Sequence, residues 1–398
     1  MPSNNTGSGA QRELMPGHDE HRHGERVSAH LAAAIGAAGG WLSFEHYMDL
    51  ALYAPGLGYY SAGARKFGRS GDFVTAPEIS PLFGACVARQ CADVLAGFVH
   101  GEILEIGAGT GRLAGDILAR LEHAGRLPAR YSILEISADL RERQHRYLSA
   151  TLPHLLDRVI WLEEPPAREF DGVIVANEVL DALPVCRFRW TRAHTEELGV
   201  ARQDGRFVWA SRPAAGSVAA VCSKLRAAGG PWEEGYVSEF CPRLAAWTAS
   251  VTRSLRAGAV LWFDYGLPRS QYYFPERLAG TLRCHYRQRA HDDPLRHPGL
   301  EDITAWVDFS ALAEAAVAQG FRLAGFTTQT YFLAGNGIDG EMQRLAAGDP
   351  ARFAQLAGQA RQLLMPGEMG ESFKVMAWMR GAAGPLAGFA LRDFRDSL

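Results

Sequence analysis

Short, mostly apolar runs alternate with amphipathic stretches through the middle of the chain. Glu102–Ile106 (EILEI), Tyr131–Ile136 (YSILEI), Val159–Leu162 and Gly172–Ala176 (GVIVA) read as strands. Between the first three, Arg112–His123 and Ala138–Leu148 read as helices. Strands and helices alternating at roughly 25–40 residues predict a parallel, doubly wound sheet. Burial on both faces explains why these strands are continuously apolar and do not alternate. Ala259–Phe263 (AVLWF) resumes the series as a fifth strand; Phe309–Gln319 then reads as a helix, and Phe321–Thr328 and Phe373–Met379 as strands.

The flanking stretches follow other rhythms. Glu25 to Leu52 predicts two short helices parted by Gly39-Gly40, with Ser43 as N-cap of the second. Residues 53–80 are rich in glycine, proline and aromatics, too apolar for a linker, and read as an ordered loop on the core. A helix begins after Pro81, with Phe83, Val87 and Val94-Leu95 on one face. After Pro184, alternating runs split at Gln203-Asp204-Gly205 predict an antiparallel hairpin or meander. A helical stretch near Pro242–Arg256 leads back to the fifth strand, and Asp264 to Asp308 reads as a long loop.

At 398 residues the chain is about 2.7 times a ~150-residue domain. The pattern distributes that length as a disordered tail (1–24), an N-terminal helical cap and lid loop (25–100), one discontinuous sheet domain (101–185 and 259–380), an inserted β-rich and helical subdomain (186–258) and a C-terminal tail (381–398). Hydrophobic residues at 47% and charged residues at 21% argue against global disorder, a collagen-like chain or a long coiled coil. No apolar run approaches the ~20 residues of a bilayer crossing. With 41 basic and 44 acidic residues, no broad nucleic-acid-binding surface is implied. Six cysteines without a C-x-x-C pair predict neither a zinc site nor a disulfide scaffold, and no metal is expected. The first 24 residues lack the apolar stretch of a secretory signal and carry acids that a mitochondrial transit peptide avoids, so a bacterial cytoplasmic location is expected.

The chemistry gathers at EIGAGTGRLAG. Gly107, Gly109 and Gly111 stand between the first strand and a helix, where glycine allows a sharp turn and close approach of a ligand to the helix N-terminus. The G-x-G-x-G spacing departs from the G-x-G-x-x-G of dinucleotide sites and disfavours a nicotinamide-dependent dehydrogenase. By itself it leaves a structural turn, a nucleotide cofactor or S-adenosylmethionine open. Glu135, 24 residues beyond Gly111 at the second strand's end, can accept bonds from ribose hydroxyls, or is an ordinary strand-end acid. Glu105 ends an apolar strand and needs a partner if buried: a cofactor ammonium, the turn amides or a structural donor.

This pattern resembles motif I of the class I S-adenosylmethionine-dependent methyltransferases. GDFVTAPEISPLFG (71–84), ANEVLDALPV (176–185), FDYG (263–266), HYRQRAHDDPLRHPGLEDITAWVDF (285–309) and FKVMAW (373–378) are similar to the MidA family, over roughly residues 26–380. The resemblance implies a doubly wound, Rossmann-like, seven-stranded α/β sheet, mostly parallel with its last strand antiparallel, and S-adenosyl-L-methionine as cofactor. The family's mitochondrial members are arginine methyltransferases needed for respiratory complex I assembly. That implies a protein substrate, and a respiratory complex subunit is one candidate. By the same resemblance the 71–80 block packs over the cofactor, with Asp72, Thr75 and Glu78 as polar contacts.

Ligands in such sheets lie outside the carboxyl ends of the strands. The strand ends bring Gly107 to Gly111, Glu135, Asn177-Glu178-Asp181 and Asp264-Tyr265 to one edge, with Asn177 assigned to the cofactor. If the acceptor is a guanidinium, it arrives charged, and paired carboxylates would clamp and orient it. Glu178 and Asp181 would face one way if that segment begins a helix; the alternative for Asn177 and Asp181 is helix capping. Asp264 is a further catalytic candidate, and His285 is either a proton acceptor or structural. Two other readings stay open: a small-molecule methyltransferase, and a silent assembly or binding protein that keeps the cofactor fold. A homodimer also stays open.

Overall fold

The computed structural model describes residues 18–61, 75–229, 232–381, 384 and 386–398. Seven strands run through the central sheet, β1 (Glu102–Ile106), β2 (Tyr131–Leu134), β3 (Val159–Leu162), β4 (Phe170–Asn177), β5 (Leu255–Leu267), β6 (Arg322–Thr328) and β7 (Phe373–Arg380), and the two-residue strand Val307–Asp308 pairs parallel with the end of β5. Their order is 6-7-5-4-1-2-3. Neighbours are parallel from β5 through β3, and β7 runs antiparallel to β5 and β6. All seven expected strands are present, and the expected antiparallel last strand is β7. The strand order reverses between β4 and β1, which opens a crevice at their carboxyl ends.

Alternation along each strand divides the core into two layers. Val173 and Val175 of β4 and Leu261 and Phe263 of β5 face one side, which is packed by the helices Pro81–Leu95 and Arg112–His123. Ile174, Ala176, Val260 and Trp262 face the other, packed by Leu244–Thr252 and Phe309–Ala318. The helix expected to cap the molecule after Pro81 and the helix expected within the insertion therefore both belong to the sheet core. Each presents an apolar stripe that finds its partner on the sheet.

The insertion is an antiparallel sheet as expected. Cys186–Trp190, Thr195–Gln203, Arg206–Pro213 and Val237–Phe240 are joined by Leu42–Ser43 from the N-terminal region. Asp204 and Gly205 turn its hairpin with φ of 50° and 79°, the left-handed pair of a two-residue turn. Ser43 accepts the His46 N–H at 3.3 Å as N-cap of Phe44–Tyr53.

Three expectations differ from the fold. The first helix begins at His18, inside the stretch read as a tail, and buries Val27, Leu31 and Ile35 at helical spacing. Asp264 to Asp308 is not a loop throughout: Arg283–Tyr286 pairs with Arg289–His291 and with Asp302–Thr304. Its hairpin turns at Arg287 and Gln288, both at positive φ (49° and 63°), so no glycine signals it. The end of the chain is no free tail. The Phe394 N–H donates to the Phe326 carbonyl (2.6 Å), Asp393 accepts the Phe326 N–H (3.2 Å), and Phe389 is buried. These contacts satisfy the outer edge of β6, whose unpaired backbone would otherwise invite another strand. Among the described residues no helix is long and apolar enough to cross a membrane.

Candidate active site

Strand β1 runs into Gly107-Ala108-Gly109-Thr110-Gly111, and the next helix starts at Arg112. All three glycines have positive φ: 67°, 54° and 85°. A side chain at Gly109 would stand in open space, whereas one at Gly111 would press on Gln144 at 3.2 Å. The turn thus leaves a concave backbone surface at a helix N-terminus, whose amides favour a negative or polar ligand. A clasp holds it from above. Thr75 precedes a short helical turn, Ala76–Ile79, from which Glu78 accepts the Thr110 hydroxyl and lies 3.7 Å from Arg112.

Glu135 follows β2 and is buried, accepting the Ser137 N–H (2.9 Å) and the Gln144 side-chain amide (3.1 Å). Gln144 also donates to the Gly109 carbonyl (3.0 Å) and accepts from the Trp161 indole (3.1 Å). One amide thus ties the second strand end to the glycine turn and to β3. Glu105 sits beneath, accepting the Tyr131 hydroxyl at 2.7 Å. Burial pushes its carboxyl up to about 7, against the opposing effect of that hydrogen bond.

The other half of the crevice is acidic. Glu178 leaves β4 at φ 52°, uncommon for a residue with a side chain and a form of strain that collects at functional sites. Its N–H donates to the Phe263 carbonyl (2.9 Å), and Asn177 donates to its Oε1 (3.0 Å). Burial first, then the Asp181 charge, pushes the Glu178 carboxyl up to about 8. Asp181 is 5% exposed, and burial lifts it to about 6. The cleft holds about 400 Å³ and is lined continuously from Glu135 through Gly107 and Gly109 to Glu178, Asp181 and Asp302.

The sequence profile of an S-adenosyl-L-methionine-dependent methyltransferase family matches residues 86–327. The chain is 31% identical to the mitochondrial "Protein arginine methyltransferase NDUFAF7" of Danio rerio, over 89% of this chain and 87% of that protein. It is 30% identical to the Mus musculus protein of the same name, over 87% and 83%. A COG1565 superfamily protein from Burkholderia thailandensis, solved with S-adenosyl-homocysteine bound, superposes with a TM-score of 0.91 at 44% identity, covering 96% of this chain and 99% of that one. The chain belongs to the MidA family of S-adenosyl-L-methionine-dependent methyltransferases. The geometry fits the cofactor of this methyltransferase. The glycine turn leaves room for a ligand, Glu135 presents carboxylate oxygens at the second strand end, and Leu134, Ile136 and Leu140 add an apolar wall to the same cleft.

Of the expected site residues, Glu105, Gly107, Gly109, Glu135, Thr75, Asn177, Glu178 and Asp181 line this one cleft, and Gly111 closes the turn behind it. Asp72 lies outside the described residues. Two candidates are not on the cleft lining. Asp264 is fully buried, and its Oδ2 accepts the N–H groups of Val179 (3.2 Å), Leu180 (2.9 Å) and Asp181 (3.3 Å) while Oδ1 accepts that of Tyr265 (2.9 Å). Four donors around one buried carboxylate make it the anchor of the Glu178–Asp181 turn. His285 lies in the small sheet, its backbone paired with Asp302, and burial followed by the Arg283 and His291 charges holds its imidazole below the ordinary value. The expected helix at Glu178–Asp181 is absent as well. Asp264 gathers three successive amides without one, which rules out the capping roles considered for Asn177 and Asp181.

Gln144, Tyr53, Tyr60 and Asp302 carry no signal in the sequence that marks them for the cleft. Gln144 sits on a helix face that reads as ordinary amphipathic surface. The two tyrosines lie at the edge of the aromatic-rich stretch read as packed on the core, and Asp302 lies inside the 285–309 block.

Proposed function

We propose that this methyltransferase methylates a guanidinium nitrogen of arginine on a protein substrate, with a respiratory-complex subunit as the candidate target. One observation carries the reading: the half-buried Glu178 and the buried Asp181, two carboxylates on a strained, anchored turn, share the cleft with the glycine cradle. Similarity to mitochondrial protein arginine methyltransferases supports it.

When bound, the cofactor supplies an electrophilic methyl on a sulfonium. The glycine turn and Glu135 fix where that methyl stands, so the acceptor nitrogen need only be held in line with it. A guanidinium arrives protonated. Glu178 and Asp181 orient one of its nitrogens and stabilise its charge through hydrogen bonds to ionised oxygens. As the nitrogen–carbon bond forms, the bonding pair of the broken sulfur–carbon bond stays on sulfur, and one guanidinium N–H proton leaves. Burial pushes the Glu178 carboxyl up to about 8; the arriving guanidinium charge favours its ionised form, and as the proton leaves the nitrogen that carboxylate is matched to receive it.

The test is transfer of labelled methyl from S-adenosylmethionine into lysate proteins, with mass-spectrometric identification of the modified residue. Methylarginine is expected, and Glu178→Gln should remove incorporation while binding S-adenosylhomocysteine as the parent does. Label confined to another residue type or to small molecules would overturn the arginine assignment.

A further inference from the structure

The cleft continues past Glu178 to a wall that the cofactor does not need. Tyr53 and Tyr60 line it, stacked with ring centroids 5.5 Å apart and planes 20° from parallel. The Tyr60 hydroxyl donates to Asp302 Oδ1 at 2.8 Å, and the Tyr53 hydroxyl donates to the Ala182 carbonyl at 2.9 Å. Asp302 is buried, and its backbone is held in the edge strand of the small sheet by its pairing with His285. Across from it, the Ala305 N–H donates to the Asp181 carbonyl at 2.9 Å, fastening the Asp181 turn to the same segment.

Asp181 supplies the observation that points to a ligand. It is 5% exposed and lines the cleft; the Tyr265 hydroxyl and the Ala182 N–H approach its carboxylate, but its Oδ1 has no hydrogen-bond partner. A buried carboxylate oxygen without a donor is costly, and a donor brought by a ligand removes that cost. The guanidinium groups on the described lining are engaged elsewhere. Arg243 bonds Glu45 (2.5 Å) and Asp49 (2.8 Å), and Arg112 lies toward Glu78.

We propose that Asp181, Asp302 and the stacked Tyr53–Tyr60 pair form the acceptor subsite, which takes a planar guanidinium flat against the tyrosines with its N–H groups directed to the two carboxylates. Arginine suits this shape better than lysine. Its flat fork serves two separated oxygens at once and stacks on an aromatic face, whereas an ammonium is a compact point charge. The small sheet within the 285–309 block then serves to hold Asp302 in place. The inference rests on the arginine reading above and adds where the side chain sits and what selects it.

The test is calorimetric titration of the enzyme saturated with S-adenosylhomocysteine, using Nα-acetyl-argininamide and its lysine and citrulline counterparts. The arginine probe should bind, and the neutral citrulline and the lysine probes should bind about ten-fold or more weakly. Asp181→Asn and Asp302→Asn should each weaken the arginine probe by about ten-fold or more, and Tyr60→Phe by less. Affinity for S-adenosylhomocysteine should stay within about two-fold in all three, which certifies the fold. Failure of the arginine probe to bind, or an Asp302→Asn enzyme that binds it as the parent does, overturns the subsite. Methylarginine in the lysate with unaltered Asp302→Asn kinetics would sink the subsite alone. Label on another residue type would sink the arginine reading and the acceptor role with it, even where the probe is still discriminated.

Discussion

Asp264 separates anchoring from chemistry most cleanly. Its carboxylate accepts four backbone N–H groups, three of them from the turn that carries Glu178 and Asp181. Burial, followed by the Asp181 and Glu178 charges, raises its carboxyl well above the ordinary range. Asp264→Ala strands all four donors in a dry site. Hydrogen bonds to charged acceptors contribute about 1.5–3 kcal/mol each, but relief of repulsion from the neighbouring acids offsets part of the loss, so a net destabilisation of about 3–5 kcal/mol is expected. Asp264→Asn can aim its carbonyl at the three turn amides and leaves its NH₂ facing the Tyr265 N–H. One orphaned donor is worth about 1–3 kcal/mol. Denaturant unfolding should rank parent above Asn above Ala. Methyl transfer should fall about 100-fold or more in Asp264→Ala, because the turn is no longer held to ångström tolerance, and only about ten-fold or less in Asp264→Asn. An asparagine variant as inactive as the alanine one, yet stable and with unchanged S-adenosylhomocysteine affinity, would show that the carboxylate itself meets the substrate and refute the anchoring role.

Three further outcomes are expected. S-adenosylmethionine and S-adenosylhomocysteine should raise the melting temperature while NAD does not, and Gly109→Val, which forces a β-branched residue to φ 54° with its side chain in the cleft, should abolish the shift; a preserved shift would displace the cofactor from the glycine turn. Gln144→Ala should weaken S-adenosylhomocysteine binding by about ten-fold while leaving turnover at saturating cofactor within a few-fold, since it removes the tie between Glu135 and Gly109 but touches nothing on the acceptor side; a loss confined to turnover would contradict that division. Glu178, with its carboxyl at about 8, holds a proton in the folded state that the unfolded chain has released, so it contributes stability below the ordinary carboxylate value that is lost as pH rises toward 8. Melting temperature between pH 6 and 8 should therefore fall less steeply in Glu178→Gln than in the parent, and parallel slopes would count against a raised Glu178 carboxyl.

The sheet was legible because a strand buried on two faces carries a run of consecutive apolar residues, as Gly172–Ala176 of β4 and Ala259–Phe263 of β5 do. The glycine turn was legible for a related reason: three positive-φ positions in five residues leave glycine as the economical choice. The acceptor end was legible only in part: Glu178 and Asp181 stood out and line the cleft, whereas Tyr53, Tyr60 and Asp302 did not stand out. Asp264 and Glu178 are both strand-end acids in sequence, and only the positions of three amides show that one anchors and the other faces the cleft. The hairpin at Arg287-Gln288 hid behind residues that seldom adopt its backbone. The covering of β6 by residues 386–398 was invisible because an edge is a property of the assembled sheet.

The cleft also records a division along the chain. Its cofactor side is built mainly from a compact stretch, Glu105 to Leu140, one strand–turn–helix unit and the start of the next, with the Thr75–Glu78 clasp added. Its acceptor wall is assembled from Tyr53 and Tyr60, Glu178 and Asp181, and Asp302, segments separated by more than a hundred residues. The first half can form early from local contacts, while the second must wait for long loops to close. Acceptor choice can therefore drift by changes in remote segments that leave the methyl donor's seat untouched, a route by which one scaffold acquires new substrates without losing its cofactor.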